Sequence, residues 1–455
     1  MARVSGGRPV PVERANSIDL MELATDVGPV PMQVAAVLVL GGGPGLHLEA
    51  VRTALEERIR AVPRLRQRLV RVPPGCGRPV WVDDPGFDIR RHVHELRCPP
   101  PGDEPALLAA AARVATRRLP GGTPPWAAYL VSGLAAGRAA LVVVVHHVLT
   151  DGIGGLAVLA KLVDGVPAAP GYGFPRPAPS RSRLFQDALA GRARAVAALP
   201  ARLRLLRGAV AELRPGRIRR APACSLNRPT GARRRLAVAR ADLDAIRQVA
   251  HAHGGTVNDV VLAAVAGAVH GLLRGRGETV GHLVVSVPVS ARRQASAGRL
   301  GNQVGVIPVE VPAAGDPVDR LPAIVRASRA RKAAPRGASA ALLAPAFRFL
   351  ARLGVLGRLI GRQRLVNTFV TNLPGPSHRL SFLGAPITEV IPVSGTTGNV
   401  TVAFAVLSYA GTLVVTLVAD PDRCPDLPVL TVELQTQLDT LAASRTAVPG
   451  AGTPG

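Results

Sequence analysis

The sequence predicts an α/β protein in two lobes, and three observations carry that expectation. Short apolar runs of strand character occur in both halves, at Val34–Leu40, Leu141–Val145 and Leu283–Val289. Segments with helical spacing lie between them. From Pro175 to Arg240 the composition changes to a Pro- and Arg-rich connector that divides the chain. With 455 residues there is enough chain for two ordinary domains or one large two-lobed unit, so a sizeable core is within reach.

Taken in order, residues 1–16 carry Arg3, Arg8, Glu13 and Arg14 with no apolar segment, and are expected to be a disordered start rather than a signal peptide. The first lobe is placed at 17–174. Its strand Val34–Leu40 is ended by Gly41–Gly43, and Leu48–Val62 sets Val51, Leu55 and Ile59 on one helical face. Leu141–Val145 (LVVVV) is the clearest buried strand, and Leu156–Val163 reads as a helix. The Arg-rich connector, 175–234, is expected to contain helices.

The second lobe is placed at 235–441. It opens with a strand and a helix, continues with a long apolar helix from about Val257 to Leu273, and returns to strand at Leu283–Val289. From Phe347 to Gln363 an amphipathic cationic helix is expected. At about 100° per residue, Arg348, Arg352, Arg358 and Arg362 share one arc, opposite Phe349, Leu350, Leu353, Leu356 and Ile360. Val390–Ala419 has no charged residue but is broken by Gly395, Gly398, Asn399 and Gly411, which predicts successive strands and not a membrane span. Residues 442–455 are expected to be a disordered tail.

Composition narrows the class. Hydrophobic residues make up 47% and charged residues 19%, the balance of a folded protein. Fifty-six basic residues against 30 acidic give +26, and Lys161 and Lys332 are the only lysines. A genome rich in G and C favours Arg over Lys together with Ala, Gly and Pro, but that bias does not make acids scarce. The excess is concentrated: Pro175–Arg240 has 17 arginines against Asp187 and Glu212, and Leu321–Ile387 has no acid. Such surfaces suit anionic partners. Nucleic acid is disfavoured, because aromatic residues, on which single strands stack, are only 3%. Cys76, Cys98, Cys224 and Cys424 form no CxxC pair, which argues against a zinc ribbon or a disulfide framework and fits a reducing cytoplasm.

The sharpest chemical signal is His146-His147-Val148-Leu149-Thr150-Asp151-Gly152, directly after LVVVV. Adjacent histidines at a strand end point to opposite faces, so one serves a given cleft while the other packs behind it. Imidazole titrates near neutrality and is the usual general base for a hydroxyl or amine nucleophile. Asp151 is placed to fix an arginine or the local loop, and Gly152 permits a tight turn and the close approach of a ligand. No G-x-S-x-G elbow occurs, so a covalent serine nucleophile is not indicated.

The HHxxxDG pattern resembles the superfamily of chloramphenicol acetyltransferase and the peptide-synthetase condensation domains. Further stretches are similar to the bacterial wax ester synthase/diacylglycerol acyltransferase family: Ile18-Asp19, Pro29–Leu40, Thr123–Trp126, Ser225–Asn227, Gly255–Val260, Pro288–Arg293, Leu300–Gly305, Val370–Pro376 and Leu407–Gly411, in that order. They span about 17 to 440. Pro125 replaces a usual Leu, and Gln33 stands where His is common; pocket shape is what these departures are expected to touch.

The resemblance implies a two-lobed α/β CoA-dependent acyltransferase fold, like that of chloramphenicol acetyltransferase, each lobe a mixed sheet with helices. It implies transfer of a long-chain acyl group from acyl-CoA to diacylglycerol, or to a long-chain alcohol, with acyl-CoA as co-substrate and no further cofactor or metal. Another hydroxyl or amine acceptor, or a non-catalytic acyl-CoA-binding protein, are the alternatives. Carried over by position, His147 is the general base and His146 its support. Asp151 is implied to be structural, in an ion pair with an arginine for which Arg292 is the first candidate and Arg293 the second.

Asn258 and Asp259 begin an apolar helix, where capping and oxyanion support are both open. Trp126 is kept as a pocket wall, although core is the commoner role of such a residue. Cytoplasmic placement is expected, with peripheral contact on an anionic membrane or lipid-droplet surface.

Overall fold

The computed structural model describes residues 11–43, 45–165, 173–200, 220–290, 304–333, 347 and 349–444. In the first part of the chain come α1 (Ser17–Thr25), β1 (Gln33–Leu40), α2 (Leu48–Arg58), β2 (Gln67–Val70), β3 (Val80–Asp83), β4 (Val93–Arg97), α3 (Glu104–Thr116), β5 (Trp126–Ser132), β6 (Ala139–His146), α4 (Gly152–Leu162) and α5 (Arg181–Ala197). The second part has β7 (Arg235–Asp242), α6 (Leu243–Ala252), α7 (Val257–Gly275), β8 (His282–Ser290), β9 (Val304–Pro312), α8 (Pro317–Ala333), α9 (Leu356–Ile360), β10 (Thr368–Pro374), β11 (Ser381–Phe382), β12 (Ala385–Val393), β13 (Val402–Tyr409), β14 (Thr412–Ala419) and α10 (Leu427–Ala443).

Two six-stranded mixed sheets form the two lobes, in the orders β11-β12-β1-β6-β5-β4 and β7-β14-β13-β10-β8-β9. In the first, only β4 and β5 pair in parallel; in the second, β10 runs parallel to both β13 and β8. Strand β6 is central and covered on both sides. Val142 and Val144 belong to one apolar cluster, and Leu141, Val143 and Val145 to another, which is why the run is continuous rather than alternating. Helix α7 is the axis of the second lobe, with every residue from Val260 to Val269 buried. It is long and apolar enough to cross a membrane, but it packs inside the protein.

Several expectations need correcting. Strands β11 and β12 come from the stretch assigned to the second lobe, yet β12 pairs along β1 in the first sheet, Ala35 opposite Val393 to Leu40 opposite Ile387. The lobe 235–441 is therefore not a closed unit: β12 carries Ile391 and Val393 into a cluster shared with Val37, Val142 and, from the second sheet, Val414 and Val418. Part of the expected disordered start is held in place, within the described residues 11–16. Arg14 Nε donates to Asp187 at 2.6 Å, its Nη1 to the Cys76 carbonyl at 2.9 Å, and Ala15 is buried. At the other end Ala442 and Ala443 still belong to α10.

The cationic helix expected over Phe347–Gln363 is broken. Gly354 takes φ +70°, a left-handed conformation that ends the first segment, and α9 restarts at Leu356. Leu356 is fully buried, whereas Phe349, Leu353 and Leu359 are each more than half exposed. Arg348 lies outside the described residues.

Candidate active site

The histidine motif sits where β6 leaves the first sheet. His146 is the last strand residue and pairs across with Gln33; its N–H donates to the Pro125 carbonyl at 2.9 Å. His147 begins the turn, half-buried, and its N–H donates to the Met32 carbonyl at 2.9 Å. The turn closes with Leu149 N–H on the His146 carbonyl at 2.9 Å.

The His146 imidazole is held on both sides. His146 Nδ1 accepts from the Val148 N–H at 3.0 Å, and His146 Nε2 lies 3.4 Å from Asp26 Oδ2. Both ring nitrogens of His146 are thus engaged. Asp26, at the C-terminus of α1, also accepts from Arg118 Nη1 at 2.6 Å and from the Met32 N–H at 3.0 Å. Burial pushes the Asp26 carboxyl up. The hydrogen bonds it accepts from His146, Arg118 and Met32 outweigh this and bring it to about 2. The sequence reading missed Asp26. The signal lay in its position: a carboxylate at a helix C-terminus opposes the helix dipole, so something else must hold it there.

Asp151 is almost fully buried and is the N-cap of α4, where Oδ1 accepts from the Gly154 N–H at 2.8 Å. Its expected partners Arg292 and Arg293 lie outside the described residues. Gly152 does serve a close approach, that of the other lobe: a Cβ there would meet Leu373 Cδ2 of β10 at 2.9 Å. The histidine turn is therefore faced directly by the second sheet.

The remaining candidates fall elsewhere. Asp259 is a capping residue, accepting from the Thr256 N–H at 2.8 Å and from Thr256 Oγ1 at 2.7 Å. Asn258 is half-buried in the same first turn, and no hydrogen bond joins it to the histidines among the described residues. Trp126 is core rather than a pocket wall. Its Nε1 donates to the Leu65 carbonyl at 2.7 Å, and its ring stacks on His92 with centroids 4.7 Å apart.

Gln33 is buried, with Nε2 on the carbonyls of Ala115 and Arg117 and Oε1 accepting from the Leu119 N–H, so it fixes the chain that carries Arg118. Asn227 and Asn367 bond to each other at 2.8 Å and tie the segment before β7 to β8 and β10. A cavity of about 330 Å³ opens next to Asp26, between Val27–Val30, Arg234, Leu356 and Thr396.

Two mixed sheets with a strand crossing between them, and HHxxxDG at the exit of a central strand facing the second sheet, define the two-lobed acyltransferase fold. The chain belongs to the wax ester synthase/diacylglycerol acyltransferase family: the profile of that family's catalytic domain matches residues 16–261 and that of its C-terminal domain residues 300–442. It is 32% identical over 423 residues to a probable diacylglycerol O-acyltransferase of Mycobacterium tuberculosis, covering 87% of this chain and 88% of that one.

Among solved structures, the wax ester synthase/diacylglycerol acyltransferase of Marinobacter aquaeolei VT8 superposes with a TM-score of 0.67 at 25% identity, over 95% of this chain and 100% of that one. The first condensation domain of the CDA synthetase shares the fold, with a TM-score of 0.61 at 20% identity over 96% of this chain and 97% of that one. The protein is an acyltransferase of this family.

Proposed function

We propose that the protein transfers a long-chain acyl group from acyl-CoA to the free hydroxyl of diacylglycerol, forming triacylglycerol, and to long-chain alcohols as a second class of acceptor. The observation that carries the mechanism is the way the His146 ring is held on both sides. His146 has Nδ1 engaged by Val148 and Nε2 by Asp26, so its ring is a fixed support. The base is then His147, which opens the turn after β6.

His147 takes the proton of the acceptor hydroxyl as that oxygen attacks the thioester carbonyl. The C–S bond of the tetrahedral intermediate then breaks, the acyl group stays on the acceptor oxygen as an ester, and the proton held by His147 passes to the departing CoA thiolate. No covalent acyl-enzyme is needed. Asp151 holds the start of α4, and with it the return of the histidine turn.

Peripheral contact with an anionic membrane or lipid-droplet surface on the cytoplasmic side is part of this reading. Supporting it are exposed Phe349, Leu353 and Leu359 beside exposed Arg352, Arg358 and Arg362. The test of the reaction uses purified protein, palmitoyl-CoA and a panel of diacylglycerol, long-chain alcohol and amine acceptors. Thiol release and ester formation are expected only with a hydroxyl acceptor. His147→Ala is expected to abolish both while the protein stays folded; near wild-type turnover would remove His147 as the base.

A further inference from the structure

We infer that Asp26 is a positioning residue for acyl transfer: a single carboxylate on the loop between α1 and β1 orients both histidines of the motif. The inference rests on the acyltransferase reading above and adds to the machinery a residue outside HHxxxDG, over a hundred positions earlier in the chain.

The first branch runs through Oδ2. Because the Val148 N–H donates to His146 Nδ1, that nitrogen is an acceptor, and the proton of the neutral ring must sit on Nε2. Nε2–H then points at Asp26 Oδ2, 3.4 Å away. A peptide N–H on one ring nitrogen and a carboxylate on the other fix both the tautomer and the plane of His146. The second branch runs through Oδ1, which accepts the Met32 N–H at 3.0 Å, while the Met32 carbonyl accepts the His147 N–H at 2.9 Å. Met32 is held from both ends, and the backbone of His147 is registered against it.

The carboxylate is itself held in place. Its side chain is only 12% exposed, and Arg118 donates to Oδ2 at 2.6 Å. The chain carrying Arg118 is pinned by Gln33, the residue that lies directly across the ladder from His146. Gln33, Arg118, Asp26 and His146 therefore form one closed circuit around the end of β6. A mere clamp for the end of α1 would need only the Met32 bond; the bond to His146 goes beyond it.

The experiment compares Asp26→Asn and Asp26→Ala in the full chain. Asn keeps the side-chain volume. Whichever way its amide turns, it sets an NH2 against a group that already donates, Met32 on one side or His146 and Arg118 on the other, so one branch is lost. The expected result is a fall in kcat of about ten- to a hundredfold for Asp26→Asn, with KM for palmitoyl-CoA unchanged and thermal melting close to wild type.

Asp26→Ala should fall at least as far. His146→Asn combined with Asp26→Asn should cost little more than either change alone, since both act through one bond. In 15N-labelled protein, the ring of His146 should report the Nε2–H tautomer in the wild type, and the Nε2–H signal should shift or broaden by exchange in Asp26→Ala, where no carboxylate accepts it. Wild-type kcat in Asp26→Asn, or a loss fully accounted for by a smaller folded fraction, overturns the inference. Independent, multiplicative effects in the double variant overturn the route through His146. If the wild-type chain transfers no acyl group, the acyltransferase reading fails on its own, and the tautomer measurement still decides whether Asp26 holds His146.

Discussion

His146 and His147 are neighbours in sequence but belong to different pieces of local structure. One closes a strand with its ring fixed between a peptide N–H and a carboxylate; the other opens a turn. The motif alone announced the pair, and the alternation of side chains along a strand predicted that only one would serve the cleft. Which one was fixed could not be read from the motif, because Asp26 arrives from the loop before β1, 120 positions earlier in the chain. Asp151 shows the same division. Its importance was legible, and among the described residues it caps its own helix through the Gly154 N–H, a role the motif did not announce. Asp151→Ala should therefore lower stability by about 1 kcal/mol or more through the lost cap, and Asp151→Asn by less, because Asn also caps. Chemical denaturation of the two variants checks the order; equal losses would argue that the cap is not what Asp151 supplies.

At the scale of elements, periodicity found most of the structure. The runs at Val34–Leu40, Leu141–Val145 and Leu283–Val289 are β1, β6 and β8, and the apolar helix after Thr256 is α7. Where it failed, a single residue or a distant partner was the cause. Gly354 divides the helix expected over Phe347–Gln363, since one left-handed residue overrides a favourable periodicity. Gly152 was understood as a place for close approach, but only packing shows that Leu373 of β10 does the approaching. Gly152→Ala should press a methyl against Leu373 and destabilise the turn by about 1–3 kcal/mol, with reduced turnover. Adding Leu373→Ala should restore part of both. A double variant no better than Gly152→Ala would show that the contact is not the reason for glycine.

At the scale of the whole molecule, the +26 charge takes on a shape. Much of the arginine that is described works inside the protein. Arg240 of β7 pairs with Glu389 of β12 at 2.6 Å and with Glu104 of α3, an ion network across the two lobes that raises the Arg240 pKa further, the Glu389 hydrogen bond being the main cause. Arg14 and Arg176 likewise bind the start of the chain and the connector to the first lobe. Arg352, Arg358 and Arg362, exposed beside exposed apolar side chains, are the residues on which the proposed membrane contact rests. Replacing these three by Gln should weaken sedimentation with anionic vesicles, and wild-type binding should fall as salt rises. Binding indifferent to salt, or absent, would count against that surface.

The sequence by itself determined the two-lobed α/β class, the strand that delivers the histidines, and the family, because each is written in local order: apolar period, turn residues and a run of motifs. Tertiary structure decided what local order cannot encode. Strand β12 crosses into the first sheet, Leu373 closes on Gly152, and Asp26 reaches His146 across 120 positions. Each is a pairing between segments far apart in the chain. Such a pairing is set by which surfaces become neighbours when two sheets bury their apolar faces together, and no window along the sequence contains both partners.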